Sequence, residues 1–354
     1  MKNEHYYIMH KDTVVCEYKN GSTKVINKAL SPLFFRFFDS FEDWLVSRAI
    51  DSHRPNSRLL KKALRLAGRD DISAVIAAYA LTITDNYWVK KPNEEIKYND
   101  IRFKENMFAE LALSGSYDSF NKAAASGAKR PYTPDLTNTG SYEKCWRMEN
   151  GRWCMYKKAN ESEAFSEVFV SKLCRVLGFD AAEYTFGKDC VKTFDFTDNA
   201  SVDFEPAYNF VWDNDDMIYN IDKLRTLSED KTLVRDLMRI FFMDALTANP
   251  DRHTFNYGVL RDAQSGDIIS LAPNFDNNMA LTARNDMSDT KRENDFLIGL
   301  FNETLEYVKD FEVPKITREL ILSALDEYEI SAALKSKIAD FIYNGYTQIK
   351  RSDF

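Results

Sequence analysis

Histidine is scarce in this chain of 354 residues, with four in all. The five cysteines, Cys16, Cys145, Cys154, Cys174 and Cys190, are odd in number, scattered and without a Cys-x-x-Cys pair. Neither residue type is spaced as zinc ligands are, which argues against a structural zinc site and leaves free thiols in a reducing compartment as the expectation. Long apolar runs are lacking too. The longest, residues 74–81, is far too short to span a bilayer, and the opening Met1-Lys-Asn-Glu-His-Tyr-Tyr7 has no signal-peptide core. A cytoplasmic protein is expected. Basic residues are in deficit, 47 against 55 acidic ones, for a net charge of −8, which argues against a protein whose task is to wrap nucleic acid. There is no internal repeat, no long low-complexity tract and no loop with several glycines.

What remains is an ordinary globular composition, with 44% hydrophobic and 29% charged residues, in a chain longer than one hydrophobic core usually serves. Two lobes or two domains are therefore expected. Aromatic residues are abundant, and Leu33-Phe-Phe-Arg-Phe-Phe38 reads as core. Residues 1–30 read as a short β element with strands at 6–9 and 14–18 and a turn at Asn20-Gly21. Residues 31–85 read mainly as helix, with helical spacing through 41–50 and 59–66. A Gly/Ser/Thr/Ala/Pro-rich stretch, Ser119–Ser141, is the best linker. Strands are then expected at 145–148 and 153–157, joined by Glu149-Asn-Gly151, followed by a helix at 161–177 that Gly178 stops. Strand-like pieces follow at 183–186 and 190–196. Residues 233–248 are apolar nearly all round and should form a buried helix, and a hairpin at 257–260 and 268–271 interrupts the helical second half.

The chemistry concentrates in Asn249-Pro-Asp-Arg-His-Thr-Phe-Asn-Tyr-Gly258 and Pro273-Asn-Phe-Asp-Asn277. Asp251 precedes Asn256 by five positions, and Asp276 follows twenty later. Phosphoryl transfer needs an aspartate to position or deprotonate the attacking hydroxyl. It also needs an asparagine and a second aspartate to hold metal against the phosphates. A bare Asp-x4-Asn spacing recurs by chance as a turn; here it follows a buried helix and opens a hairpin whose return strand delivers Asp276. Upstream, Thr137-Asn-Thr-Gly-Ser-Tyr-Glu-Lys144 holds a single glycine, Gly140, and by itself reads equally as a linker or a phosphate-covering loop. Strand alternation puts Trp153, Met155 and Lys157 on one face, which selects Lys157 over Lys158 as a phosphate-binding lysine. His253 fits a structural role in its loop better than a base, since Asp251 is available. Arg252 is expected to neutralise a carboxylate or anchor the loop.

Asp251-Arg-His-x-x-Asn256-x-Gly258 with Leu271-Ala-Pro-x-Phe-Asp276-Asn resembles the catalytic and metal loops of the HipA-like serine/threonine kinases, over roughly residues 135–350. Phosphoinositide kinases share a related Asp-Arg-His-x-x-Asn loop. The resemblance implies an α+β, two-lobed protein-kinase-like fold: a mainly helical N-terminal extension at 1–134, a small β-rich N-lobe at 135–198 and a helical C-lobe at 199–354. It implies ATP and Mg²⁺ as cofactors, Asp251 and Asn256 as catalytic residues, and Asn256 and Asp276 as metal ligands. Gly140, Ser141 and Lys144 would lie at the phosphates. Lys157 would be held by Glu167, with Glu163 as second choice, and the stretch Thr193-Phe-Asp-Phe196, including Phe194 and Phe196, would read adenine. The family also carries a hydroxyl residue in the glycine loop whose autophosphorylation switches the enzyme off; Ser141, then Thr139, takes that place. The implied partners are a protein substrate and a helix-turn-helix repressor or antitoxin, with no direct nucleic-acid binding and no membrane. A lipid or small-molecule acceptor, or an inactive nucleotide-binding, toxin-like module, are the alternatives.

Overall fold

The computed structural model describes residues 4–52, 54–63, 70–104, 108–116, 118, 121, 133–284 and 287–350. In chain order the strands are β1 (His5–His10), β2 (Thr13–Lys19), β3 (Ser22–Val25), β4 (Tyr87–Lys90), β5 (Lys144–Glu149), β6 (Arg152–Lys158), β7 (Tyr184–Gly187), β8 (Cys190–Phe194), β9 (Val202–Pro206), β10 (Gly258–Asp262) and β11 (Ile268–Leu271). The helices are α1 (Phe34–Phe37), α2 (Phe41–Val46), α3 (Ser57–Ala63), α4 (Asp71–Ala77), α5 (Tyr98–Ile101), α6 (Ala109–Ser114), α7 (Glu161–Val176), α8 (Tyr208–Val211), α9 (Met217–Leu227), α10 (Lys231–Thr247), α11 (Phe296–Tyr307), α12 (Arg318–Leu325) and α13 (Ala332–Thr347). The chain forms two compact units. The first is Met1–Lys158, Lys192–Phe210 and Val259–Ile269; the second is Ala159–Val191, Val211–Gly258 and Ser270–Phe354.

In the first unit an antiparallel sheet runs β3-β2-β1-β4. Asn20 and Gly21 both have positive φ, which closes the β2–β3 hairpin with the twist its strands require. β4 was not foreseen: Tyr87–Lys90 lies beyond the stretch read as helix, and its alternation is hidden because three of its four residues are buried. Asn150 and Gly151 repeat the positive-φ turn between β5 and β6, which pair with Lys144 opposite Lys157. Both faces of this hairpin are covered by earlier residues. Cys145 and Tyr156 pack on Ile50, Leu60, Phe108 and Leu111, whereas Trp146, Trp153 and Met155 pack on Met9, Trp88, Ile101 and Phe103. Most of the expected linker, residues 119–120 and 122–132, lies outside the described residues, as does the end of the expected 59–66 helix; from Pro134 to Thr137 the chain makes a buried 3-10 turn.

In the second unit α7 opens on a capping box in which Asn160 accepts from the Glu163 N–H and Glu163 accepts from the Asn160 N–H. Phe165 and Phe169 of α7 stack and meet the Tyr328 ring edge-on. α10 is buried along nearly its whole length, as its apolar sequence requires. All five cysteines are buried and none forms a disulfide. Among the described residues no helix is long and apolar enough to cross a membrane.

Candidate active site

The loop that carries Asp251 begins where α10 ends. Ala248 takes a left-handed conformation (φ 52°, ψ 46°), which costs a residue with a Cβ about 1–2 kcal/mol. The turn is held by Asn249, whose backbone N–H donates to the Asp244 carbonyl and whose side-chain amide donates to the Asp244 carboxylate at 2.9 Å. Asp244 is the one carboxylate in the buried part of that helix, only 2% exposed. Its partner is Arg252, which binds both carboxylate oxygens, Nε to Oδ2 and Nη2 to Oδ1, each at 2.9 Å.

Arg252 does more than neutralise Asp244. Its Nη1 donates to the carbonyls of Asn256 (2.8 Å) and Phe275 (2.6 Å), and its Nη2 donates to the amide oxygens of Asn274 (3.1 Å) and Asn277 (2.8 Å). One guanidinium therefore fixes the loop of Asp251 and Asn256 to the loop of Asp276. Burial opposes its charge, but Asp244 more than offsets that and holds the group above its ordinary pKa. A planar fork with five donors can do this; an ammonium cannot.

Within the loop the Asn256 side-chain N–H donates to the Asp251 carbonyl at 2.9 Å, so its amide oxygen is the end left for a cation. His253 is exposed, and its Nδ1 accepts from the Phe255 N–H at 3.3 Å, closing a local turn. Asp276 has φ 59°, again left-handed, and its backbone N–H donates to the Tyr184 hydroxyl at 3.3 Å. Burial first, then the Glu167 and Asp276 charges, push that phenol well above its ordinary range, so it stays protonated. Glu167, fully buried on α7, accepts the Asn277 N–H at 2.6 Å. The expected residues Asp251, Asn256, Asp276 and Glu167 thus converge in the second unit, and the second-choice Glu163 serves the helix cap. Asp244, Tyr184 and Asn277 had been given no role. A lone carboxylate inside an apolar helix was the readable signal for Asp244; nothing in the sequence marked Tyr184.

The donor set is oxygen throughout, which suits a hard cation. Among the described residues no group of three or more His, Cys, Asp or Glu gathers to hold a metal. Magnesium fits such a site, since it takes one or two carboxylates and completes its octahedron with phosphate oxygens and water. The side-chain nitrogens of Asn277 and Asn278 are buried without a hydrogen-bond partner, so this loop presents donors as well.

In the first unit Gly140 has φ 101°, and a Cβ there would come 2.6 Å from the Lys144 ammonium. The flexible lysine could move aside, but the positive φ still favours glycine at that point. Lys144 and Lys157 face each other across β5–β6, both nearly buried, and the Lys157 ammonium lies 5.2 Å from the Tyr142 ring centre. Lys158 points away and pairs with Glu143 at 3.3 Å. Of the loop hydroxyls Ser141 is exposed, Thr139 half-buried and Thr137 buried. Phe194 lies under the Arg152 guanidinium and Phe196, beyond the end of β8, sits edge-on to Phe204. The Asp195 N–H between them is already bonded to the Trp153 carbonyl.

No family model matches the chain, and no curated protein matches it. Solved structures do. A chain of the Shewanella oneidensis toxin–antitoxin complex of HipA, HipB and operator DNA superposes with a TM-score of 0.57 at 11% identity, covering 97% of this chain and 96% of that one. The Helicobacter pylori proinflammatory kinase CtkA matches with a TM-score of 0.47 at 18% identity, over 58% of this chain and 90% of that one. The chain has the HipA-like fold that the resemblance of its two loops implies.

Proposed function

We propose that this protein is an ATP-dependent phosphotransferase that moves the γ-phosphoryl group to a serine or threonine hydroxyl of a protein. The observation that carries the reading is the Arg252 clamp, which brings the Asp251–Asn256 loop and the Asp276 loop to one buried guanidinium. Asp251 orients the acceptor hydroxyl and takes its proton. Asn256 and Asp276 offer oxygen ligands to Mg²⁺, which when bound neutralises charge between the phosphates. Lys157 and Lys144 hold phosphate oxygens, the Gly140–Ser141 loop covers them, and the stretch with Phe194 and Phe196 receives the adenine. Glu167 keeps the metal loop in place through the Asn277 N–H. Catalysis of this kind is placement and charge neutralisation by groups fixed before the reaction.

In the same reading residues 135–198 and 199–354 are the two kinase lobes, 1–134 is an extension, and the enzyme is cytoplasmic. The Shewanella complex contains HipB and operator DNA; a small helix-turn-helix repressor is the corresponding partner here, and a net charge of −8 leaves DNA reading to it. The test is transfer of label from γ-labelled ATP to a dephosphorylated cell lysate. Label that appears with wild type and not with Asp251→Asn supports the reading; equal label from both ends it.

A further inference from the structure

Residues 180–182, just ahead of β7, run parallel to the start of the metal loop. Ala181 bridges Asn274, with the Asn274 N–H donating to the Asp180 carbonyl at 3.0 Å and the Ala182 N–H to the Asn274 carbonyl at 2.9 Å. Bonds in a parallel ladder are evenly spaced, so the next would run from the Asp276 N–H to the Ala182 carbonyl. Side chains take both ends of that bond. The Ala182 carbonyl accepts from the Ser171 hydroxyl of α7 at 2.5 Å, and Asp276 has left the extended conformation for φ 59°. Its N–H donates at 3.3 Å to the hydroxyl of Tyr184, the first residue of β7, which is 3% exposed.

A hydroxyl thus stands where the ladder ends, at the residue whose carboxylate is offered to the metal. The neighbours of Asp276 are held as well, the Phe275 carbonyl by the Arg252 guanidinium at 2.6 Å and the Asn277 N–H by the Glu167 carboxylate at 2.6 Å. A left-handed residue with a Cβ persists where its surroundings over-determine it, and of these three contacts the Tyr184 bond is the one made to Asp276 itself. We infer that Tyr184 is a positioning residue for metal binding: its hydroxyl replaces the ladder bond and holds Asp276 in the conformation that takes it off the strand. This rests on the phosphotransfer reading, in which Asp276 is a metal ligand. Tyr184 acts through the backbone of Asp276 rather than on the metal. Magnesium demands near-ideal octahedral geometry, so a displaced carboxylate is felt first in metal affinity.

The test uses the full chain as wild type and as Tyr184→Phe, which keeps the ring and removes the hydroxyl. Hydrogen exchange is measured without ligand. Free Mg²⁺ is then titrated at fixed ADP with the melting temperature as readout, and transfer from γ-labelled ATP to a dephosphorylated lysate is followed at varied Mg²⁺. Exchange in residues 274–277 of the variant should accelerate about 10-fold or more, and change less than about twofold in residues 231–243. Both Mg²⁺ midpoints should rise about 10- to 100-fold, the usual cost of losing a group that orients a metal ligand, and excess Mg²⁺ should restore most of the transfer. Unchanged exchange in 274–277, or acceleration shared equally by 231–243, overturns the local hold and the role with it. Faster exchange with Mg²⁺ midpoints within about threefold of wild type overturns the positioning role and leaves the phosphotransfer reading standing. Wild type that shows no Mg²⁺ midpoint and transfers no label sinks that reading and the role together.

Discussion

Arg252 and Arg261 lie on either side of Gly258, and each buries a guanidinium against a carboxylate. Arg261 and Glu205 are each 1% exposed, with Nη1 and Oε1 2.5 Å apart. The same Glu205 accepts from the Tyr87 hydroxyl, the Leu33 N–H and the Asn209 side chain, and Arg261 also donates to the carbonyls of Ser31, Ala29 and Gly266. Arg252 joins loops that carry candidate chemistry; Arg261 fastens the start of the chain to β9 and the β10–β11 turn. Removing one partner of either pair strands a buried charge, which costs about 3–5 kcal/mol. What separates them is what else goes wrong when the geometry loosens.

That contrast orders the expected effects. The largest belong to the groups that Arg252 arranges. Asp251→Asn and Asp276→Asn should each lower phosphoryl transfer by about 10³-fold or more with the melting temperature nearly kept. Titration with Mg·ATP should weaken in Asp276→Asn alone. Near-normal turnover in either would remove the site from the Arg252 loops.

Next come the arginines themselves. Arg252→Lys keeps the charge and loses the fork, so transfer should fall about 100-fold, the usual result of a displacement near 1 Å. Arg261→Lys should lower the denaturation midpoint and leave kcat within about threefold. If both variants lose activity alike, the two nodes are not functionally distinct. In the β5–β6 hairpin the parallel pair is Lys157→Ala, with a strong loss of ATP affinity, against Lys158→Ala. Lys158 is itself exposed and its ion pair is with the partly buried Glu143, so its loss should shift stability by less than about 1 kcal/mol and spare activity. Equal effects would put the functional lysine in the other strand register. The smallest effect is expected at His253. A general base contributes about 10²–10⁴-fold, whereas His253→Ala should cost less than about fivefold in initial-rate assays. A larger drop would make the imidazole, not Asp251, the proton acceptor.

The two nodes also differ in how far they could be read in advance. Asp251, Arg252, Asn256 and Asp276 lie within a short stretch whose motifs carry the family resemblance, and that resemblance implied the fold class; the structure ties the two loops together through Arg252. The turns Asn20-Gly21 and Asn150-Gly151 were readable because two adjacent positive-φ residues select Asn-Gly. Arg261 sits in Val-Leu-Arg-Asp, which has no local signature; its partners come from residues 29–33, 87 and 205, and long-range burial leaves no mark on sequence spacing. β4 escaped for a related reason, since a four-residue strand with three buried positions has no alternation to show. Tyr184 is silent as well. One tyrosine at the start of a strand looks like plain core until the left-handed Asp276 is brought to its hydroxyl.

The Arg261 node has a consequence on the ribosome. The Tyr87 hydroxyl bonds Arg261 across 174 positions of chain, and the first unit is completed only by Val259–Ile269. At about 5–20 residues per second, Tyr87 emerges roughly 9–35 s before its guanidinium. Throughout that interval Leu33, Tyr87 and then Glu205 lack the cation that unites them in the folded unit. The nascent chain passes a vulnerable window set by translation speed, and slowing elongation between codons 90 and 260 should raise the share of protein captured by chaperones.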